Sequence, residues 1–208
     1  MLPISGTALI RVWILFCMNS VFERNAFFAM RALFLLLSCF IGYTVNAQYL
    51  VRITCKGWDD FSEWSIFAEE ENDEGELKLR RPMVGDWTAW SYRLGELTGQ
   101  IELLHKDDPN AWKVRAGNQV VVARTKFKDD FFEWRLSDNQ FTFSLKAAYK
   151  NVPSKWVMSD PKWGSLIIYP AHGSDPRDWL IVDDLEASVP LSLKMAAVFL
   201  SIFHAAPH

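Results

Sequence analysis

From Gln48 onward apolar and polar side chains alternate, and a short period of two predicts strands. Tyr49-Leu50-Val51-Arg52-Ile53-Thr54-Cys55 and Glu63-Trp64-Ser65-Ile66-Phe67-Ala68 have the β-branched and aromatic content of strands, with Gly57, Asp59 and Asp60 turning the chain between them. The acidic run Glu69 to Gly75 predicts a solvated hairpin tip, after which Glu76-Leu77-Lys78-Leu79-Arg80-Arg81 alternates again until Pro82. The pattern changes only near the carboxyl end. Residues 189–204 are apolar on every side, and that predicts a buried helix. Pro190 suits its first turn, with Ser188 or Ala187 near the cap. About sixteen residues at ~1.5 Å each give about 24 Å, short of a bilayer core of about 30 Å, and Lys194 interrupts the run.

A tryptophan spacing organises the middle of the chain. Trp90, Trp112, Trp134, Trp156 and Trp179 follow one another at steps of 22, 22, 22 and 23 residues. Each opens a strand that leads to a Gly, Asp or Asn turn and a second strand, as in Gly99–Leu104, Asn118–Arg124, Gln140–Leu145 and Gly164–Tyr169. The unit is therefore a β-hairpin, and the array is a meander of about 10–12 strands. Asp138-Asn139 and Ala116-Gly117-Asn118 supply tight-turn chemistry. Open edges on so long a meander are costly, and closing it around the apolar helix removes them. The expected fold is mainly β: a closed antiparallel barrel, residues 48–208, around a buried C-terminal helix.

Phrases such as Trp112-Lys113-Val114-Arg115-Ala116-Gly117-Asn118-Gln119-Val120 and Phe132-Glu133-Trp134-Arg135-Leu136-Ser137-Asp138-Asn139 carry a family likeness, with Asp178-Trp179-Leu180-Ile181-Val182 leading into the apolar helix. Over residues 48–205 the chain resembles the tubby-like superfamily, which includes the tubby carboxyl-terminal domain, plant LURP-one-related proteins and phospholipid scramblases. The resemblance implies a barrel of about twelve strands threaded by its last helix, and a non-catalytic role at anionic lipid or a membrane surface. Neither the phosphoinositide-binding basic residues of tubby nor the calcium segment of scramblases can be placed on this sequence.

The amino terminus predicts an address. Met30-Arg31, an apolar stretch to Gly42 and the small residues before Gln48 make 30–47 a signal peptide, with 1–29 as a leader or over-extended start. This points to an extracytoplasmic protein, secreted or periplasmic. The alternative is membrane anchoring by residues 26–45. Of Cys17, Cys39 and Cys55, only Cys55 survives cleavage, as a small residue of the first strand.

Candidate chemistry adds less. A net charge of −3 supplies no footprint for nucleic acid. The compact basic cluster is Lys78, Arg80 and Arg81, and alternation puts Lys78 and Arg80 on one strand face, suited to a phosphate head group. The competing reading is a carbohydrate-binding β-domain, with the off-register Trp58, Trp87 and Trp163 as a platform for glycan. The doublets Asp107-Asp108, Asp129-Asp130 and Asp183-Asp184 lie beside turns and read as loop tips rather than an acid–base pair. His172-Gly173-Ser174-Asp175 reads as a turn rather than a triad, and His105, His172, His204 and His208 lack metal-ligand spacing. The expectation is a binding protein with no catalytic residue, cofactor or metal, its oligomeric state left open.

Overall fold

The computed structural model describes residues 48–58, 60–69, 74–80, 86–149, 152–173 and 175–206. The proposed leader (1–29), signal peptide (30–47) and anchor (26–45), together with Arg81, lie outside them.

The alternating segments form twelve strands, in order β1 (Leu50–Cys55), β2 (Glu63–Ala68), β3 (Glu74–Leu79), β4 (Ala89–Leu94), β5 (Leu97–Leu103) and β6 (Ala111–Ala116). They continue as β7 (Gln119–Thr125), β8 (Glu133–Ser137), β9 (Thr142–Tyr149), β10 (Val152–Asp160), β11 (Gly164–Pro170) and β12 (Asp178–Asp183), and helix α1 (Leu191–Phe203) follows. Every strand pairs antiparallel with its sequence neighbours, and β1 pairs with β12, so the meander closes into a barrel. Closure leaves no open edge for another chain to extend. The two ends differ. After odd-numbered strands the chain makes long loops of seven to nine residues, apart from the short β9–β10 link, whereas the even-numbered strands before β12 lead into hairpin connections of two to five residues.

Six tryptophans line the inside, one on each even strand: Trp64, Trp90, Trp112, Trp134, Trp156 and Trp179, none more than 3% exposed. Trp64 extends the repeat by one unit, at a step of 26 from Trp90. Each even strand but β10 opens one residue before its tryptophan. That position is set by a small motif. An aspartate four residues before the tryptophan accepts the backbone N–H two residues ahead of itself: Asp60 from Ser62, Asp86 from Thr88, Asp108 from Asn110, Asp130 from Phe132 and Asp175 from Arg177. In four of these units the indole N–H then donates to the carbonyl three residues back, Trp64 to Phe61, Trp90 to Trp87, Trp134 to Phe131 and Trp179 to Pro176, at 2.8–2.9 Å. The loop is thereby pinned to the strand it enters.

The helix fills the barrel. Ser192 through Ile202 are all buried, and Phe199 packs edge-on against Trp90 and Trp112, with ring centroids 5.7 and 4.9 Å apart. Its polar residues all have partners: Ser192 donates to Gln119, Ser201 to the carbonyl of Ala197, and Lys194 to Asp183. Lys194 is thus accommodated by a buried ion pair of 2.8 Å, and Asp183 also accepts the Leu50 N–H. One carboxylate ties first strand, last strand and helix. The cap differs from expectation: Pro190 itself holds the N-cap position in an extended conformation (φ −70°, ψ 148°), and no side chain caps the helix. Its ring fits because a cap residue makes no intrahelical N–H bond.

The barrel interior is apolar and filled by the helix, unlike the polar interior of a transmembrane barrel. Among the described residues, no helix is long and apolar enough to cross a membrane.

Candidate functional site: a basic wall

Because strand side chains alternate, the inward tryptophans fix which neighbours face out. Lys78 (β3), Arg93 (β4), Lys113 and Arg115 (β6), Arg124 (β7), Arg135 (β8) and Lys146 (β9) all point outward, with Arg80 just beyond β3. Three carboxylates on this wall are committed to cations. Glu76 takes Lys78 at 3.1 Å and Arg93 at 3.8 Å, Glu102 takes Lys113 at 2.9 Å, and Glu133 takes Lys126 and Lys146 at 2.8 and 3.0 Å. Hydrogen bonds from those lysines hold all three carboxyls below the usual carboxylate range. Arg80 reaches the side-chain oxygen of Gln100 at 3.2 Å. Among the described residues, Arg115, Arg124 and Arg135 have no carboxylate within ion-pair distance.

Arg124 and Arg135 are direct cross-strand partners in the β7–β8 ladder, and both are exposed. Like charges so placed destabilise a sheet. Ser144 stands opposite Arg135 on the next strand. Two guanidiniums on strands about 4.8 Å apart bring several N–H donors within reach of one anion, and phosphate or carboxylate oxygens accept such donors well. A second cationic feature lies nearer the hairpin end, where Glu76, Ser91, Arg93, Thr98, Gln100 and Arg115 surround a concavity of about 490 Å³. Gly99 is needed at its base: a Cβ there would lie 2.2 Å from the Tyr92 ring, which crosses the inside of the wall at that point.

Of the residues proposed from sequence, Lys78 and Arg80 are exposed on the basic wall. The other wall cations Arg93, Arg115, Arg124 and Arg135 were absent from that proposal. These cations are scattered one or two per hairpin and meet only when the meander curls. An odd offset from the nearest tryptophan was the signal available for Arg93, Arg115 and Arg135.

The three platform tryptophans are not brought together. Trp58, in the β1–β2 loop, is 79% exposed, with the Arg177 guanidinium 4.4 Å from its ring. Trp87 is half-buried against Trp90 at 5.8 Å. Trp163 is at the opposite end of the barrel, edge-on to Phe141 at 4.9 Å with Lys162 4.0 Å above its ring.

The remaining sequence candidates have structural roles. In Asp107-Asp108 and Asp129-Asp130 the first aspartate takes positive φ (61° and 62°), and the second makes the backbone bond that positions the tryptophan. Asp175 is bound bidentately by Arg177, whose hydrogen bonds lower its carboxyl to about 2. The Cys55 thiol donates to the carbonyls of Gly57 and Asp60, and burial pushes its ionisation up, away from reactive thiolate. Among the described residues no three His, Cys, Asp or Glu side chains group as metal ligands. Compared with protein-family models, with curated proteins and with solved structures, the chain matches none.

Proposed function

We propose that this is a non-catalytic, exported barrel protein of tubby-like type that binds anionic lipid surfaces through its basic wall. The observation that carries the reading is the Arg124–Arg135 pair: two exposed arginines held side by side with, among the described residues, no carboxylate within ion-pair distance of either. A sheet that needed only solubility has no reason to keep that repulsion, whereas a phosphate between the guanidiniums turns it into attraction. Lys78 and Arg80 extend the cationic surface along the wall. The likeness to tubby-like proteins supports a lipid role but supplies none of these residues. The carbohydrate reading keeps one exposed ring of its three, Trp58.

Cosedimentation with phosphatidylcholine vesicles, with and without phosphatidylserine or a phosphoinositide, tests the proposal. Binding is expected only with anionic lipid, to fall as salt rises, and to be lost on Arg124→Glu with Arg135→Glu. Equal binding to neutral vesicles, or full binding by the double variant, would overturn it. A glycan array run alongside tests the alternative through Trp58→Ala.

A further inference from the structure

We infer that the long-loop end of the barrel is the end that enters the bilayer interface, with Trp58, Phe127 and Tyr149 as its anchors. This rests on the lipid reading and gives it an orientation. Among the described residues, all three aromatic side chains of the exposed large hydrophobics lie at this end: Trp58 at 79%, Phe127 at 60% and Tyr149 at 59%. Trp58 occupies the β1–β2 loop, Phe127 the β7–β8 loop, and Tyr149 ends β9. In the closed strand order the first two loops are half the circumference apart. Three rings spread around one rim define a plane across the barrel mouth, which suits a flat surface better than a single groove-bound ligand.

Two of the rings carry a cation beside them, Arg177 at 4.4 Å from Trp58 and the Lys126 ammonium 5.6 Å from Phe127. Aromatic rings with adjacent basic groups favour the level of lipid head groups, where ring and charge are both accommodated. The cross-strand arginine pair of β7 and β8 falls at a matching depth. Arg124 is one residue from the long-loop end of β7 and Arg135 two residues into β8, about 3–7 Å from the rim at ~3.3 Å per residue. The rim also bears carboxylates. Asp60, Asp86, Asp108, Asp130 and Asp175 accept backbone N–H groups of their own loops, and Asp107 and Asp129 sit at positive φ beside two of them. The hairpin end is the poorer candidate. It exposes the aliphatic Leu97 and Val120, and its described turns carry Glu69, Glu96, Asp138, Asp184 and Glu186 against Lys162. Arg93 and Arg115 on the wall beside those turns offset part of that charge, so the choice between the two ends rests on the aromatic rings.

The test is a set of full-length proteins with Cys17, Cys39 and Cys55 changed to serine. Each carries one new cysteine, from Trp58→Cys, Phe127→Cys, Tyr149→Cys, Leu97→Cys or Val120→Cys, labelled with a polarity-sensitive nitrobenzoxadiazole dye. On vesicles containing phosphatidylserine, dyes at 58, 127 and 149 should shift to the blue and brighten, and those at 97 and 120 should not. The unlabelled triple variant Trp58→Ala/Phe127→Ala/Tyr149→Ala, with unchanged circular dichroism, should partition about tenfold more weakly, as lost burial of apolar area requires. A blue shift at 97 or 120, or at no position while the protein cosediments, overturns the orientation and leaves the basic-wall reading standing. Absence of cosedimentation by the parent protein overturns both.

Discussion

The outer wall of the barrel divides into two unlike arcs. From β3 to β9 it bears arginine and lysine in excess of carboxylate, whereas β10 to β12 present Val157, Ile167, Tyr169, Leu180 and Val182. On that second arc Val157 pairs with Ile167, Ile167 with Val182 and Tyr169 with Leu180, so the apolar residues form rows across three strands. Among the described residues, the close ion pair on its outer face is at the seam, where Arg52 grips Asp178 at 2.6 Å. The inside makes no such distinction: both arcs direct buried tryptophan, leucine and isoleucine at the same helix. What the fold demands is therefore met equally by both arcs, and the difference between their outer faces does not come from packing. It teaches that the charge on the first arc is available to serve recognition.

Equality of the inner faces is the premise most exposed to test. Trp134 belongs to the basic arc and Trp156 to the apolar one, and both are fully buried. Replacing either by alanine should cost about 3–5 kcal/mol, read as a lowered midpoint in urea. A much smaller loss at Trp156 would mean that the second arc is not held by the common core. Phenylalanine sharpens the comparison. Trp134 donates its indole N–H to Phe131 at 2.8 Å, while the N–H of Trp156 is buried without an acceptor. Trp134→Phe should therefore cost about 1 kcal/mol more than Trp156→Phe.

That asymmetry also marks how far the sequence could be read. Tryptophans at a step of 22 disclosed the hairpin unit, and an unbroken apolar run disclosed the helix, because both arise from a period that the chain must keep to bury one face. Trp64 escaped because the connections on both sides of β3 are longer than in the later units and stretch the step to 26. The aspartate four residues before five of the tryptophans was visible as composition, yet its role depends on a backbone N–H that no side-chain pattern announces. The basic wall was half legible. Lys78 and Arg80 are neighbours in sequence, whereas Arg124 and Arg135 become neighbours only through the register of β7 with β8.

Acid separates the arcs next. Glu76, Glu102 and Glu133 on the basic arc, and Asp178 beside the apolar one, have folded ionisations below their usual values because of the cations bonded to them. The unfolded chain then binds more protons than the native one as pH falls below the ordinary carboxyl range. Their stabilisation is complete above that range and is lost as pH drops through the depressed folded values. Stability should fall there, and Glu102→Gln with Glu133→Gln should flatten the acid limb of the melting temperature. Binding should move the other way. Protonated glutamates release Lys78, Lys113, Lys126 and Lys146, so attachment to phosphatidylglycerol vesicles should tighten across the same interval. Weaker attachment at acid pH, with the fold intact by circular dichroism, would deny that the basic arc is the contact surface.

The smallest effect expected is the most discriminating. Arg124→Glu exchanges a repulsive cross-strand pair for an attractive one with Arg135. At an exposed site the gain is about 0.2–1 kcal/mol, measurable as a slightly higher urea midpoint. The same substitution removes half of the proposed phosphate clamp and places a carboxylate beside the other half, so anionic-vesicle binding should fall sharply while stability rises. Opposite signs are what a recognition site built against local stability requires. If Arg124→Glu instead destabilises the barrel, the arginine pair already has a structural partner. If stability rises and binding is untouched, the pair is a tolerated surface defect, and the charged and apolar arcs differ for a reason other than lipid.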